Sequence, residues 1–339
     1  MVVSDADILS AAQRWFEKGN GVALATVVET WGAAPRPVGS HLVVASDGAF
    51  LGSVSGGCVE AEVIEEALDA IKTGTPRLLE FGVADETAWR AGLSCGGRIN
   101  VYVERIDAGQ RDLLAALGAE RDSRRAAILL TDLKSGAKRL LRAENLSQDF
   151  FRAELETRLR LGRSGLLTGG NIFALAQVPQ IRLLILGASH IAQALAVMTR
   201  VLDFETIIID PRGAFATPER FPGCAVIAEW PQDALPRLGL DPYTAVALLA
   251  HEPRIDDPSI SAALTARCFY IGALGSRKTH TKRLDRLRAA GIAECDLARI
   301  HAPIGIDIGA LSPGEIAVSI LAELIAARSQ KASRSEQAA

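Results

Sequence analysis

Two of the five cysteines in this 339-residue sequence stand in settings where a thiol could do chemistry. Cys58 closes the run Ser55-Gly56-Gly57-Cys58 just before a helical pattern, and Cys95 opens the run Cys95-Gly96-Gly97. The thiolate, not the thiol, is the nucleophile and the metal ligand, and a helix N-terminus stabilises that anion. Glycines beside the sulfur let the backbone come close to a bulky ligand. Cys58 and Cys95 are therefore candidate ligands for a metal that takes sulfur. Neither belongs to a CxxC pair, which argues against a zinc knuckle or a thioredoxin-type motif. Cys224, Cys268 and Cys295 lack such surroundings and read as small buried hydrophobes.

Two further stretches could hold an anion. In IRLLILGASHIAQALAVMTRVLDFETIIIDPR, starting at Ile181, a strand runs through a tight glycine turn into a helix. The backbone N–H groups of such a turn face a phosphate. A dinucleotide site wants three glycines and, about twenty positions on, an acid for the ribose. The chain supplies Gly187, then Ser189 in the second position, Ala192 in the third, and Asp210 at the end of the next strand. Ser189 crowds the pyrophosphate position, so the same pattern also describes a Rossmann-type scaffold without a dinucleotide. The second stretch, Gly275-Ser276-Arg277-Lys278, leads a strand into a basic helix. Cations there oppose the helix dipole, a small cost that a bound anion would offset. His190, His251, His301 and Asp307 lie beside strand ends or in loops where α/β sites collect, and rank second.

These residues need elements to position them. Asp5–Lys18 has helical spacing closed by Gly19, and Gly21–Thr30 is β-rich. Asp47-Gly48 signals a hairpin, Cys58–Lys72 a helix, and PRLLEFGV and RINVYVERI two more strands. A second hairpin is expected around Lys134-Ser135-Gly136, followed by charged, loop-rich sequence read as an extension and a linker. From Ile181 the apolar runs stop alternating, as parallel strands covered on both faces do. The fold class is α/β, with an α/β domain over 1–175, a Rossmann-like parallel-sheet domain over 176–328, and a disordered tail over 329–339.

Composition fits a soluble globular protein: 49% hydrophobic and 23% charged residues, with a formal net charge of −3. That balance gives no reason to expect nucleic acid as a partner. Leu183–Thr199 carries no charge but is broken by Gly187, Ser189, His190 and Gln193, so no membrane span is expected. The N-terminus lacks a secretory pattern, and the cysteines are too few and scattered for a disulfide framework, so the expected compartment is the cytoplasm.

GSVSGGCVEAEV, LSCGGRINVYVE, LLILGASHIAQALA, FYIGALGSRKTHTKRL and IHAPIGIDIGALSPGEIAVSILAEL together resemble the successive signatures of the XdhC/CoxI family. They run in order from about residue 20 to residue 327. The resemblance implies an N-terminal XdhC/CoxI domain and a C-terminal Rossmann-like one. It implies a maturation factor that binds molybdenum cofactor (molybdopterin) and helps it gain a sulfido ligand with a cysteine desulfurase. Such a factor then delivers the cofactor to the apoenzyme of a molybdenum hydroxylase such as xanthine dehydrogenase. Carried over, the family's SGGC motif falls on Ser55, Gly56, Gly57 and Cys58, and its CGG motif on Cys95, Gly96 and Gly97. The chain departs at Ser189, where relatives read GAGH. A homodimer is the expected assembly, and an accessory protein is expected more than a turnover enzyme. The alternatives are an NAD(P)-dependent oxidoreductase using the glycine turn with Asp210, and a thiol-redox protein using Cys58 with Cys95.

Overall fold

The computed structural model describes residues 5–32, 34–82 and 97–336, so Cys95 and Gly96 lie outside the described residues. The chain divides into two compact units, Met1–Pro179 and Gln180–Ala339.

In the first unit, helix α1 (Asp5–Glu17) is followed by strands β1 (Val22–Trp31), β2 (His41–Ala45) and β3 (Phe50–Gly52). Helix α2 (Glu60–Thr73), β4 (Arg77–Phe81) and β5 (Arg98–Arg105) complete an antiparallel sheet of order β3-β2-β1-β5-β4. β2 and β3 form the hairpin expected at Asp47-Gly48, with Val43 opposite Leu51. β1 is buried on both faces, which explains its unbroken apolar run. Val22 and Leu24 join a core with α1, while Ala23, Ala25 and Val27 join Val63, Ala67 and Ala70 of α2.

Helix α3 (Ala108–Asp122), β6 (Ala127–Asp132), β7 (Lys138–Arg142), helix α4 (Arg152–Leu161), β8 (Gly165–Leu166) and β9 (Ile172–Gln177) follow. Their strands form a second antiparallel sheet, β7-β6-β9-β8. β6 and β7 are the hairpin expected around Lys134–Gly136. The stretch read as linker instead contains β8 and β9, and β9 pairs with β6 from Ala127 opposite Gln177 to Asp132 opposite Ile172. Beneath this sheet, Lys138 Nζ reaches Glu104 of β5 at 2.8 Å, each side chain 8% exposed. The pair lines a cavity of about 30 Å³ with His41, Tyr102, Thr26, Thr131, Gln110 and apolar neighbours such as Phe173. Burial pushes Glu104's pKa up, opposed by Lys138, and pulls His41's down to about 4 against the pull of Asp5.

The second unit contains β10 (Arg182–Leu186), helix α5 (His190–Thr199), β11 (Glu205–Ile209), β12 (Ala225–Ile227), helix α6 (Pro231–Leu238) and β13 (Thr244–Leu248). Helix α7 (Pro253–Thr265), β14 (Tyr270–Ala273), helices α8 (Arg277–Ala289) and α9 (Glu294–Leu297), β15 (Ile300–His301) and helix α10 (Pro313–Glu336) complete it. All six strands are parallel, in the order β12-β11-β10-β13-β14-β15. Leu184, Leu186, Val246 and Leu248 meet Leu235, Ile255, Ile260 and Leu287 on one face. Leu183, Ile185, Ala245 and Ala247 meet Leu195, Ile320 and Leu324 on the other. Both faces are covered, as the non-alternating runs predict. The strand order reverses between β10 and β13, and ligand crevices of open α/β sheets form at such a point.

α10 starts with a capping box: Ser312 N–H donates to Glu315 at 2.8 Å, and Glu315 N–H to Ser312 Oγ at 3.3 Å. Its last turns extend into residues assigned above to the tail. Cys268 is buried and Cys224 half-buried, but Cys295 is exposed at the start of the short α9 and is not the buried hydrophobe expected. No helix among the described residues is long and apolar enough to cross a membrane.

Candidate functional site

α2 begins at Glu60, two residues after Cys58, and the loop before it wraps around the Glu60 carboxylate. Oε1 accepts from Ser53 Oγ at 2.5 Å, Ser55 N at 2.9 Å and Val54 N at 3.2 Å. Oε2 accepts from Ser55 Oγ at 2.5 Å and Gly57 N at 2.8 Å. Five donors on one carboxylate outweigh its partial desolvation and hold its pKa down, at about 2. Ser55 Oγ also accepts from the N–H groups of Cys58 and Val59, at 2.9 and 3.0 Å, and so fixes the turn that leads into the helix. Gly56 and Gly57 have φ of +81° and +116°, and a Cβ on Gly57 would meet nothing within 4 Å. The turn therefore has a rigid inner side that binds its own anion and an open outer side. Cys58 is half-buried, packed against the core shared by α2 and the first sheet. Gly97 is buried just before β5, and the rest of its motif lies outside the described residues. No group of three or more His, Cys, Asp or Glu that could hold a metal is found among the described residues.

In the second unit the glycine turn forms as expected, with Ser189 capping α5 through Ala192 N–H at 3.2 Å. Gly187 has φ of +109°, and a Cβ there would strike the backbone N of Ala250 after β13. This glycine serves the packing of two loops. Asp210 is fully buried and both its oxygens are engaged. Oδ2 accepts from Ala188 N at 2.8 Å and Arg212 Nη2 at 2.7 Å; Oδ1 accepts from Arg212 N and Nε, both at 2.9 Å. The arginine and these amides keep its pKa below the usual range although burial works against them. Arg212 lies 4.5 Å from the Phe215 ring centroid and Arg220 5.4 Å, while Arg220 also holds Gln193 of α5. His190, the first residue of α5, is exposed.

The Gly275 turn sits at the ends of β13 and β14. Gly275 has φ of +136°, and a Cβ there would lie 3.0 Å from His251 Cε1. His251 itself has φ of +57° and approaches the Leu274 carbonyl through Nδ1 at 3.3 Å. Ser276 caps α8 through Thr279 N–H at 3.2 Å, and Arg277 and Lys278 are exposed with no ion-pair partner among the described residues. Beneath the turn, Arg283 donates to the Leu274 carbonyl at 2.9 Å and to Asp256 at 3.1 Å, both side chains 2% exposed. Arg283 Nε and Nη1, Asp256 Oδ1 and His280 Nδ1 are buried with no hydrogen-bond partner among the described residues. Burial and the Arg283 charge pull His280's pKa down.

On the edge strand next to β14, His301 ends β15 and places Nδ1 3.1 Å from Glu323 Oε1 of α10. Glu323 Oε2 accepts from Tyr270 Oη at 2.6 Å and Gly305 N at 2.8 Å. Asp307, in the following loop, is exposed and accepts from Gly309 N at 3.3 Å. Sequence reasoning reached Cys58, His251, His301 and the glycines but missed Glu60, Arg212, Arg283 with Asp256, and Glu323 with Tyr270. Only Glu60 had a readable signal, as an acid following Ser55 at the start of a helical pattern.

Residues 15–82 match the family described as "XdhC and CoxI family", and residues 183–324 match "XdhC Rossmann domain". The chain is 32% identical over 324 residues to a protein of Escherichia coli (strain K12) named "Molybdenum cofactor insertion chaperone PaoD", covering 95% of this chain and 88% of that one. It is 29% identical over 318 residues to a Bacillus subtilis (strain 168) protein named as a probable xanthine dehydrogenase component, covering 91% and 94%. A crystal structure described as a xanthine dehydrogenase from Bacillus halodurans superposes with a TM-score of 0.70 at 23% identity, covering 96% and 95%, and so shares the fold.

Proposed function

The chain belongs to the XdhC and CoxI family, and from that premise we propose that it is a molybdenum-cofactor maturation chaperone. It holds the cofactor, supports its sulfuration by a cysteine desulfurase and delivers it to the apoenzyme of a xanthine dehydrogenase-type hydroxylase. The observation that carries the proposal is the near full-length likeness to the E. coli protein named as a molybdenum cofactor insertion chaperone. The cofactor is cargo here, a pterin with a phosphate and a metal that takes sulfur ligands.

The residues present fit such a cargo. The open space at Gly57 leaves room for a ligand against the backbone, with the Cys58 thiol beside it. Exposed Arg277 and Lys278 at the N-terminus of α8 suit a phosphate. Cys95 is proposed as a second sulfur ligand, with Gly96 and Gly97 giving backbone access, and the assembly is proposed to be a homodimer in the cytoplasm. The oxidoreductase alternative loses ground because Asp210 spends both oxygens on Ala188 and Arg212.

The test is native purification from cells making molybdenum cofactor, with molybdenum and pterin measured per chain. Both should be retained, Cys58→Ser and Arg277→Ala should each lower them, and a partner hydroxylase should be activated more slowly by either variant. Nicotinamide in place of pterin, or full molybdenum in both Cys58→Ser and Cys95→Ser, would overturn the reading.

A further inference from the structure

A carboxylate, a phenol and a backbone amide converge on one histidine at the carboxyl end of β15. Glu323 is held by the Tyr270 hydroxyl and the Gly305 N–H, and these donors with His301 keep its pKa low despite burial. An ionised carboxylate can only accept, so His301 Nδ1 carries the hydrogen. In the neutral form of the ring the lone pair would then lie at Nε2, which makes no hydrogen bond among the described residues. The ring is held against rotation by Tyr270, whose ring centroid is 4.9 Å away. The loop that follows is pinned as well: Ile304 N–H donates to the Ala273 carbonyl at 3.2 Å and Ile306 N–H to the Ser319 carbonyl at 3.3 Å. Gly305 lies so close to α10 that a Cβ would collide with Ser319 Oγ. Tyr270 is 1% exposed and the Glu323 side chain 16%, whereas the His301 side chain is 36% exposed. Its partners are thus fixed inside and the ring reaches the surface at the sheet end where ligands of parallel α/β folds bind.

A carboxylate behind an imidazole suits either a metal ligand or a proton acceptor. A metal needs further ligands, and no group of three candidate ligands is found among the described residues. We therefore propose that His301 is a proton acceptor, acting through Nε2 on a ligand with a weakly acidic ring N–H, and that Glu323 is its positioning residue. The N–H bond of the ligand breaks, its electron pair stays on the ligand nitrogen, and the proton passes to Nε2. The resulting imidazolium is stabilised across Nδ1–H by Glu323, and the proton returns when the ligand leaves. The pterin ring of the proposed cargo belongs to this ligand class, so the ligand's identity, though not the histidine's role, rests on the reading above.

The test uses full-length protein and diethylpyrocarbonate, which acylates an imidazole lone pair, together with ¹⁵N spectra of labelled histidine. His301 should show the Nδ1–H tautomer and react about tenfold faster than exposed His190 and His251, the order of gain that a carboxylate behind an imidazole contributes. Glu323→Gln should remove that advantage, and His301 should be protected in protein purified natively with its cargo. An Nε2–H tautomer, a rate no higher than that of His190, or unchanged reactivity of His301 with molybdenum cofactor bound would each overturn the proposal. If Glu323→Gln does not fold, the tautomer and the relative rates of the unaltered protein still decide. If no cofactor copurifies, the chaperone reading fails while those two measurements stand.

Discussion

The Gly57 N–H donates to the Glu60 carboxylate at 2.8 Å, and this bond determines how the Ser55–Cys58 turn meets a ligand. The inward amides that a glycine-rich turn offers to an anion are already used by an anion of the same chain. What remains for a visitor is the outer glycine face and the sulfur.

Glu60 should be visible in acid unfolding. Its folded pKa, about 2, lies below the ordinary 4.5, so its contribution is complete above 4.5 and is lost as pH falls toward 2. Allowing for solvent screening of a partly exposed group, the loss is about 1–2 kcal/mol. Glu60→Gln turns an NH₂ toward donors and should remove that slope. Denaturant titrations at several acidic pH values that give parallel curves for both proteins would refute it.

Asp210 should matter for stability more than for binding. Asp210→Ala strands the Ala188 N–H and the Arg212 fork, at a cost of about 2–3 kcal/mol. Urea unfolding measures it, and a change within error of zero would show that the turn holds without the acid.

NAD should bind weakly or not at all. Ser189 occupies the second glycine position and Asp210 is saturated. Calorimetry with NAD should give no low-micromolar affinity, and finding one would revive the oxidoreductase reading. In that event Ser189→Gly should strengthen binding.

The Lys138–Glu104 pair should tolerate joint replacement better than single replacement. Lys138→Met leaves a buried carboxylate without its cation and should cost about 3–5 kcal/mol, whereas adding Glu104→Leu should recover most of it. A double-mutant cycle in urea gives the coupling, and strict additivity would contradict a shared environment.

The second unit was legible in the sequence because parallel strands buried on both faces leave uninterrupted apolar runs, as in Leu183–Leu186 and Thr244–Leu248. Both hairpins were legible through their turns. β9 was not, because Ile172–Gln177 is defined by pairing with a strand some forty-five positions earlier. The site was legible only where its geometry is local. His301 could be singled out as a histidine at a strand end, but Glu323 lies 22 residues away on one face of a long apolar helix. Asp256 and Arg283 are 27 residues apart and meet only because α7 and α8 pack on the same sheet face.

The collision that forbids a side chain at Gly187 also ties two turns into one mechanical unit. Gly187 presses on Ala250; the next residue, His251, touches the Leu274 carbonyl; and Leu274 leads directly into Gly275. Leu249 N–H bonds to Leu186, and Leu274 N–H to Leu248, so neither loop shifts without pulling on its neighbour. A molecule that pried open the first turn would therefore disturb the second, and occupancy of the second would stiffen the first.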